Sequence, residues 1–243
     1  MSPVRCFVAL SSCVVLVSCA TGRPLGARVG VDDGFRPFAA APSATTIPPP
    51  TVEAVKPLEV APGARASAVE LARGLVGARR VEVGGRRFGD DCTGLVRGVY
   101  SALGVDVMSA GQAGDNGVTA IWRFTAQRGR LYEGGRPLPG DLVFFRETYD
   151  LNRDGQVNDG LTHIGLVDDV EPDGTVLVIH RVARGVVRYR MNLSAPTQAR
   201  DASGKVLNDG LRLAGNGSAP RLTGELFVSF GTLLPVEGSL ARR

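Results

Sequence analysis

The chain has 243 residues, a net charge of +4 and a pI near 9.1, with 44% hydrophobic and 21% charged residues. Of its 28 basic residues only Lys56 and Lys205 are lysine, and the arginines alternate with acidic residues without forming a patch, which excludes a nucleic-acid site as the meaning of the positive charge. Residues 65–235 suffice for one domain, and no internal repeat is evident.

Residues 1–18 read as an export signal. Arg5 supplies a short positive region, and Val8 to Val17 form an apolar stretch too short to span a bilayer as a helix. The segment ends in Leu16-Val17-Ser18-Cys19, which resembles the lipobox of bacterial lipoproteins. That resemblance implies cleavage before Cys19, lipidation of its thiol and a membrane anchor in the cell envelope. Ala20 is compatible with sorting to an outer membrane, facing the periplasm. An ordinary signal peptide with a chance cysteine is the alternative. Residues 19–63 then form a tether, because they hold 8 of the 15 prolines and too little apolar surface to offset their ordering entropy; a random coil of this length reaches about 35 Å. Cys6 and Cys13 leave with the signal and Cys19 carries lipid, so Cys92 remains as a thiol without a disulfide partner in an oxidising compartment.

Asp91-Cys92-Thr93-Gly94 opens an apolar helix. Leu95, Val96, Val99 and Leu103 recur at helical spacing, and Gly104 is placed to stop it. Free N–H groups and the helix dipole favour a thiolate at such a position, which makes Cys92 a candidate nucleophile. The same residue also reads as a small hydrophobe continuing the buried face of the helix.

Strands are expected at Leu142 to Phe145, after the turn Leu138-Pro139-Gly140-Asp141, then at Ile164 to Val170, Val176 to Ile179 and Gly185 to Met191. Helix first and antiparallel meander after is an α+β order. The connection between the first two strands carries Asp150, Asn152, Asp154, Gly155, Gln156, Asn158 and Asp159, which follow the first half of an EF-hand calcium loop. Position twelve is Leu161, so the bidentate glutamate is missing, and the flanks read as strands. Weak Ca²⁺ binding through Asp150, Asn152, Asp154, the Gln156 carbonyl and Asp159 or Asn158 stands against an Asx-rich turn that satisfies its own backbone.

Glu171-Pro172-Asp173-Gly174 predicts a four-residue hairpin loop in which Val170 faces Thr175, His163 faces Val182 and His180 faces Gly165. The only two histidines of the chain then share one face as diagonal neighbours, with Gly165 leaving room for their contact. Either alone reads as a half-buried strand residue. With Cys92 they form the minimum set for thiol-based acyl transfer, namely nucleophile, base and orienting group. A zinc site of one cysteine and two histidines would be helped by closer ligand spacing than this sequence has.

The runs Asp91-Cys92-Thr93-Gly94-Leu95-Val96, Leu138 to Phe145, His163-Ile164-Gly165-Leu166-Val167 and Ile179-His180 together resemble the NlpC-type family of papain-like cell-wall peptidases over about residues 65–192. The resemblance implies a papain-like fold with the nucleophile at the N-terminus of a central helix packed on an antiparallel sheet. It implies hydrolysis of peptide bonds in peptidoglycan stems, between D-glutamate and the following diamino acid, with no cofactor required. Cys92 takes the nucleophile's position, His163 the base's and His180 that of the third polar member. Asp91 and Thr93 match positions that hold the substrate's free amine. The family's aromatic residue near a Gly-Gly pair upstream of the cysteine has no counterpart beside Gly84-Gly85, and Thr93 replaces a commoner serine. The catalytic domain is expected over 64–235, with 194–221 as a long loop, a last strand near Leu226 to Phe230, a tail over 236–243, and a monomeric state. Another papain-like activity, amidase or thioesterase, and a non-catalytic wall-binding lipoprotein are the competing readings.

Overall fold

In the computed structural model, residues 58–214 and 220–236 are described; the export signal, Cys19 and most of the tether lie outside them. Helix α1 (Ala64–Gly74) is followed by a small hairpin of β1 (Glu82–Val83) and β2 (Arg86–Arg87), turned by Gly84 and Gly85 at φ 59° and 73°. Two positive φ values in a two-residue loop demand this glycine pair. Helices α2 (Cys92–Ala102) and α3 (Gly117–Arg128) come next. The strands β3 (Arg130–Tyr132), β4 (Leu142–Arg146), β5 (Leu161–Val170), β6 (Val176–Val182) and β7 (Gly185–Met191) follow. A second small hairpin, β8 (Gly210–Arg212) and β9 (Arg221–Leu222), the single turn α4 (Thr223–Leu226) and β10 (Phe227–Thr232) complete the fold.

The main sheet has six antiparallel strands in the order β3-β10-β4-β5-β6-β7. Alternation along the strands splits their apolar side chains between two cores. Leu142, Phe144, Ile164, Leu166 and Ile179 meet Leu95, Val96 and Val99 of α2 and Ala68 and Ala72 of α1. Val143, Phe145, Val167, Val178 and Met191 form the other core with Leu226 and Phe230. Two aspartates tie the helical layer to the sheet. Asp141, the last residue of the Leu138 to Asp141 turn, is buried between Arg65 of α1 and the Tyr132 hydroxyl, which donates at 2.5 Å. Asp168 is buried between Arg73 at 2.5 Å and Arg188 at 2.6 Å.

The expected α+β class, with the candidate nucleophile at the start of a helix packed on an antiparallel sheet, and the four central strands hold, each strand being as long as expected or longer by one to three residues at an end. The turn between β5 and β6 differs from its reading. Val170 pairs with Val176, not Thr175, and Glu171 closes a five-residue connection by donating its N–H to the Thr175 carbonyl at 2.8 Å. That shift would put the histidines out of step, but an extra residue at Asp168 makes a β-bulge. Val167↔Val178 and Leu166↔Ile179 return to the expected register. Residues 194–221, read as a long loop, contain an isolated bridge Arg200↔Val206 and the strand β8. Their polar residues, Asp201 and Asn208 above all, accept backbone N–H groups of the segment and its neighbours and give it local order.

Candidate active site

Helix α2 starts at the nucleophile because Asp91 caps it. Its extended backbone halts the preceding loop, and its Oδ1 accepts the Gly94 N–H and the Thr93 hydroxyl, both at 2.7 Å. Gly94 is needed for close approach, since a Cβ there would lie 1.8 Å from the Gly89 carbonyl oxygen. Cys92 is therefore the first residue of the helix, where backbone N–H groups lack intrahelical acceptors. Its side chain points into the core and is 9% exposed. Burial pushes the thiol up to about 11, against the opposing pull of the Ile164, Thr93 and Cys92 backbone N–H groups. Of the two readings of Cys92, burial on the inner face of the helix dominates its titration: desolvation outweighs the helix start and disfavours the thiolate.

Ile164 follows His163 on β5, so the N–H that approaches the sulfur brings the histidine with it. Opposite Gly165, the restored register sets His180 on the same face, and His163 Nε2 lies 2.7 Å from His180 Nδ1, with the rings at 83°. Space for this pair comes from Gly165. A Cβ there would meet Val178 Cγ1 at 2.5 Å and His180 Cβ at 3.1 Å. Burial lowers His163 to about 4 and drives His180 well below the ordinary histidine range, helped by His163 and Arg184. Both imidazoles are neutral at pH 7. His180 is fully buried, its ring packs on Tyr189 at 4.5 Å, and its Nε2 makes no hydrogen bond.

Cys92 and His163 open onto one cleft of about 680 Å³. Asp90 and Asp91 line it at the helix start, Arg181 to Ala183 at the β6–β7 turn, Thr148 to Asp150 in the β4–β5 connection and Leu211 to Leu213 in β8 and just beyond. Three of the expected positions, Asp91, Cys92 and His163, thus line the cleft, with His180 behind His163; Thr93 is not among the lining residues, and its side chain lies beside Gly117 at the start of α3 while its hydroxyl donates to Asp91. Sequence reasoning missed Arg181, Tyr149 and Leu211 to Leu213. Arg181 follows His180 directly and was open to notice. The β8 residues arrive from a segment with no periodic signal.

The loop of Asp150 to Asp159 is wound on itself. Asp150 accepts the N–H groups of Arg153 at 2.6 Å and Gly155 at 2.8 Å, Asn152 that of Asp154, Asp154 that of Gln156, and Asp159 that of Leu151. Among the described residues no group of three or more His, Cys, Asp or Glu is arranged to hold a metal ion. Only Asp150 of the expected ligands, with Gly155 and Val157, faces the cleft.

Residues 81–181 match the family model of the CHAP domain. This stretch runs from the start of the β1–β2 hairpin past His180, and the match bears out the resemblance to papain-like cell-wall hydrolases of the NlpC type. A Staphylococcus aureus protein described as similar to lipoprotein, of the NLP/P60 family, aligns at 19% identity and a TM-score of 0.34, covering 55% of this chain and 38% of that one. The alignment thus spans well under half of that protein's length. No curated protein matches the chain.

Proposed function

We propose, on the premise that residues 81–181 form a CHAP-type, papain-like hydrolase domain, that this protein is a cysteine peptidase that cleaves peptidoglycan stem peptides at the bond between D-glutamate and the next diamino acid. The observation that carries the reading is that Cys92 and His163 line one cleft, with His180 buried behind His163 and the two imidazoles 2.7 Å apart. Since His163 spends Nε2 on His180, its Nδ1 is the nitrogen left for the thiol. For Nδ1 to accept a proton, Nε2–H must donate to His180 Nδ1. His180 then keeps its own proton on the buried Nε2 over which no acceptor competes.

The thiol and the imidazole are both neutral before substrate binds, so proton transfer accompanies attack instead of preceding it. Cys92 Sγ bonds to the scissile carbonyl carbon while Nδ1 of His163 takes the thiol proton. The N–H groups at the start of α2 face the developing oxyanion. The C–N bond breaks as that proton passes to the leaving amine, and water attacks the thioester with His163 again as base. The second carboxylate oxygen of Asp91, free of the cap contacts made by Oδ1, is available to the substrate's amine, and the Thr93 hydroxyl fixes the carboxylate. Lipidation at Cys19, anchorage in the envelope and sorting to the outer membrane complete the proposal and rest on Leu16-Val17-Ser18-Cys19.

Purified protein incubated with peptidoglycan, with fragments read by mass spectrometry, tests activity and bond together. New termini at D-glutamate are expected, and Cys92→Ala is expected to fold and release none. Turnover by Cys92→Ala would overturn the peptidase reading. Fragments cut between sugar and peptide would assign an amidase on the same residues.

A further inference from the structure

Arg181 lines the cleft and is held there by backbone carbonyls. It follows His180 on β6 and points to the opposite face of the sheet, the face on which α2 packs. Its Nη1 donates to the Val182 carbonyl and its Nη2 to the Arg79 carbonyl at 3.1 Å, so the guanidinium plane is held from two sides by backbone. Its Nε is buried without a partner. Among the described residues, no carboxylate lies within ion-pair distance of it, whereas Arg65, Arg73, Arg123 and Arg188 each meet an aspartate at 2.5–2.9 Å. Asp90, whose carboxyl is lowered chiefly by Arg87 and in smaller part by the Arg181 charge, already accepts the Val81 N–H and Arg87 Nη2. A guanidinium carries five donors in a fixed fork, and two bonds to carbonyls leave it both charged and under-used.

We infer that Arg181 is a carboxylate subsite of the cleft, which selects peptides carrying a free carboxylate beside the scissile bond. The inference rests on the peptidase reading for its substrate class. Asp91 and Arg181 line the same cleft from the start of α2 and from the end of β6, with Cys92 next to the first and the catalytic histidine pair next to the second. A ligand reaching both must offer an amine to one and a carboxylate to the other. A stem peptide does so: D-glutamate linked through its side chain leaves its α-carboxylate free, and the diamino acid brings a second. Preorganisation by the two carbonyls means that little side-chain entropy is lost when the carboxylate docks. A planar carboxylate also matches the fork in a way that a carboxamide cannot, since an amide brings donors of its own and no charge.

The test uses four synthetic stem peptides: both carboxylates free, the D-glutamate α-carboxylate amidated, the diamino acid carboxylate amidated, and both amidated. Wild type and Arg181→Gln are compared in kcat/KM, and the Cys92→Ala and Cys92→Ala/Arg181→Gln proteins in binding by calorimetry. One amidation is expected to lower wild-type kcat/KM and Cys92→Ala affinity by about 10- to 100-fold, mainly through KM, and Arg181→Gln is expected to erase that difference. The position at which amidation matters identifies which carboxylate is read. Arg181→Lys is expected to fall between, keeping charge without the fork. Equal acid-to-amide ratios in wild type and Arg181→Gln would overturn the inference while leaving a working peptidase. A lowered melting temperature with equal loss on all four peptides would also overturn it, as a purely bracing role. Preference for the acid by Cys92→Ala without turnover by wild type would sustain the subsite and sink the peptidase.

Discussion

Adding one methyl group at Gly165 tests the geometry of the histidine pair without touching either ring. The new Cβ would fall 2.5 Å from Val178 Cγ1, 3.1 Å from the Ile179 carbonyl oxygen and 3.1 Å from His180 Cβ. Ordinary contact needs about 3.5–4.0 Å, so Val178 must retreat by roughly 1 Å and His180 by a few tenths. Val178 is 1% exposed and branched at Cβ, so within a close-packed core its freedom to turn is small. Overpacking of this kind costs about 1–3 kcal/mol, and for a domain of this size Tm falls by about 2–4 °C for each kcal/mol. The 2.7 Å contact between the rings is expected to lengthen or tilt, and kcat of Gly165→Ala to drop by about 10- to 100-fold with little change in KM. Steady-state kinetics on a stem peptide and a thermal melt read both quantities. Gly165→Ala/Val178→Ala removes the worst collision and is expected to recover part of kcat, even though the lost valine packing keeps Tm low. A Gly165→Ala enzyme with wild-type kcat and Tm would refute the claim that this glycine makes room for the pair.

Two further outcomes follow from the charge states and from the polar loop. His163 titrates lower in the folded than in the unfolded chain, so its contribution is intact above pH 6.5 and is lost as pH falls toward about 4; Cys92 titrates higher when folded, so its contribution is intact below pH 9 and is lost as pH rises toward about 11. Melting temperature is expected to decline on both flanks, with the alkaline decline reduced in Cys92→Ala, and kcat/KM to hold through neutrality and fall toward pH 4 as the base protonates; a thiolate absorbance at pH 7 would contradict this. Calcium is expected to raise the melting temperature of the wild type by a few degrees and to leave Asp150→Ala/Asp154→Ala unchanged, and identical melts with calcium and with chelator would establish the Asp150 to Asp159 segment as a turn held by its own backbone.

The helix start at Cys92 was legible because cap, nucleophile and apolar stripe lie within a dozen residues, as was the shared face of His163 and His180. The facing of the histidines came out right through two offsetting departures, a longer turn and a bulge at Asp168, neither of which a period-two pattern can reveal. Which of the two readings of Cys92 governs its titration was not legible, because a sequence shows that Cys92 begins a helix but not how deeply its sulfur is buried against β5. Tyr149, Arg181 and Leu213 were invisible as neighbours. They reach the cleft from three separate places, the β4–β5 connection, the end of β6 and the stretch after β8, and only tertiary packing brings those together.

The bulge has an engineering corollary. Because Asp168 is clamped by Arg73 from the helical layer and by Arg188 from β7, the offset between the two halves of the β5–β6 hairpin is absorbed there, well short of the histidines. The tip from Glu171 to Thr175 is thereby insulated from the chemistry, as a hinge pin insulates a door from its handle. A tag or fluorophore-bearing loop spliced at Asp173-Gly174 would report on the protein's whereabouts while the register of the histidine pair stays as it is.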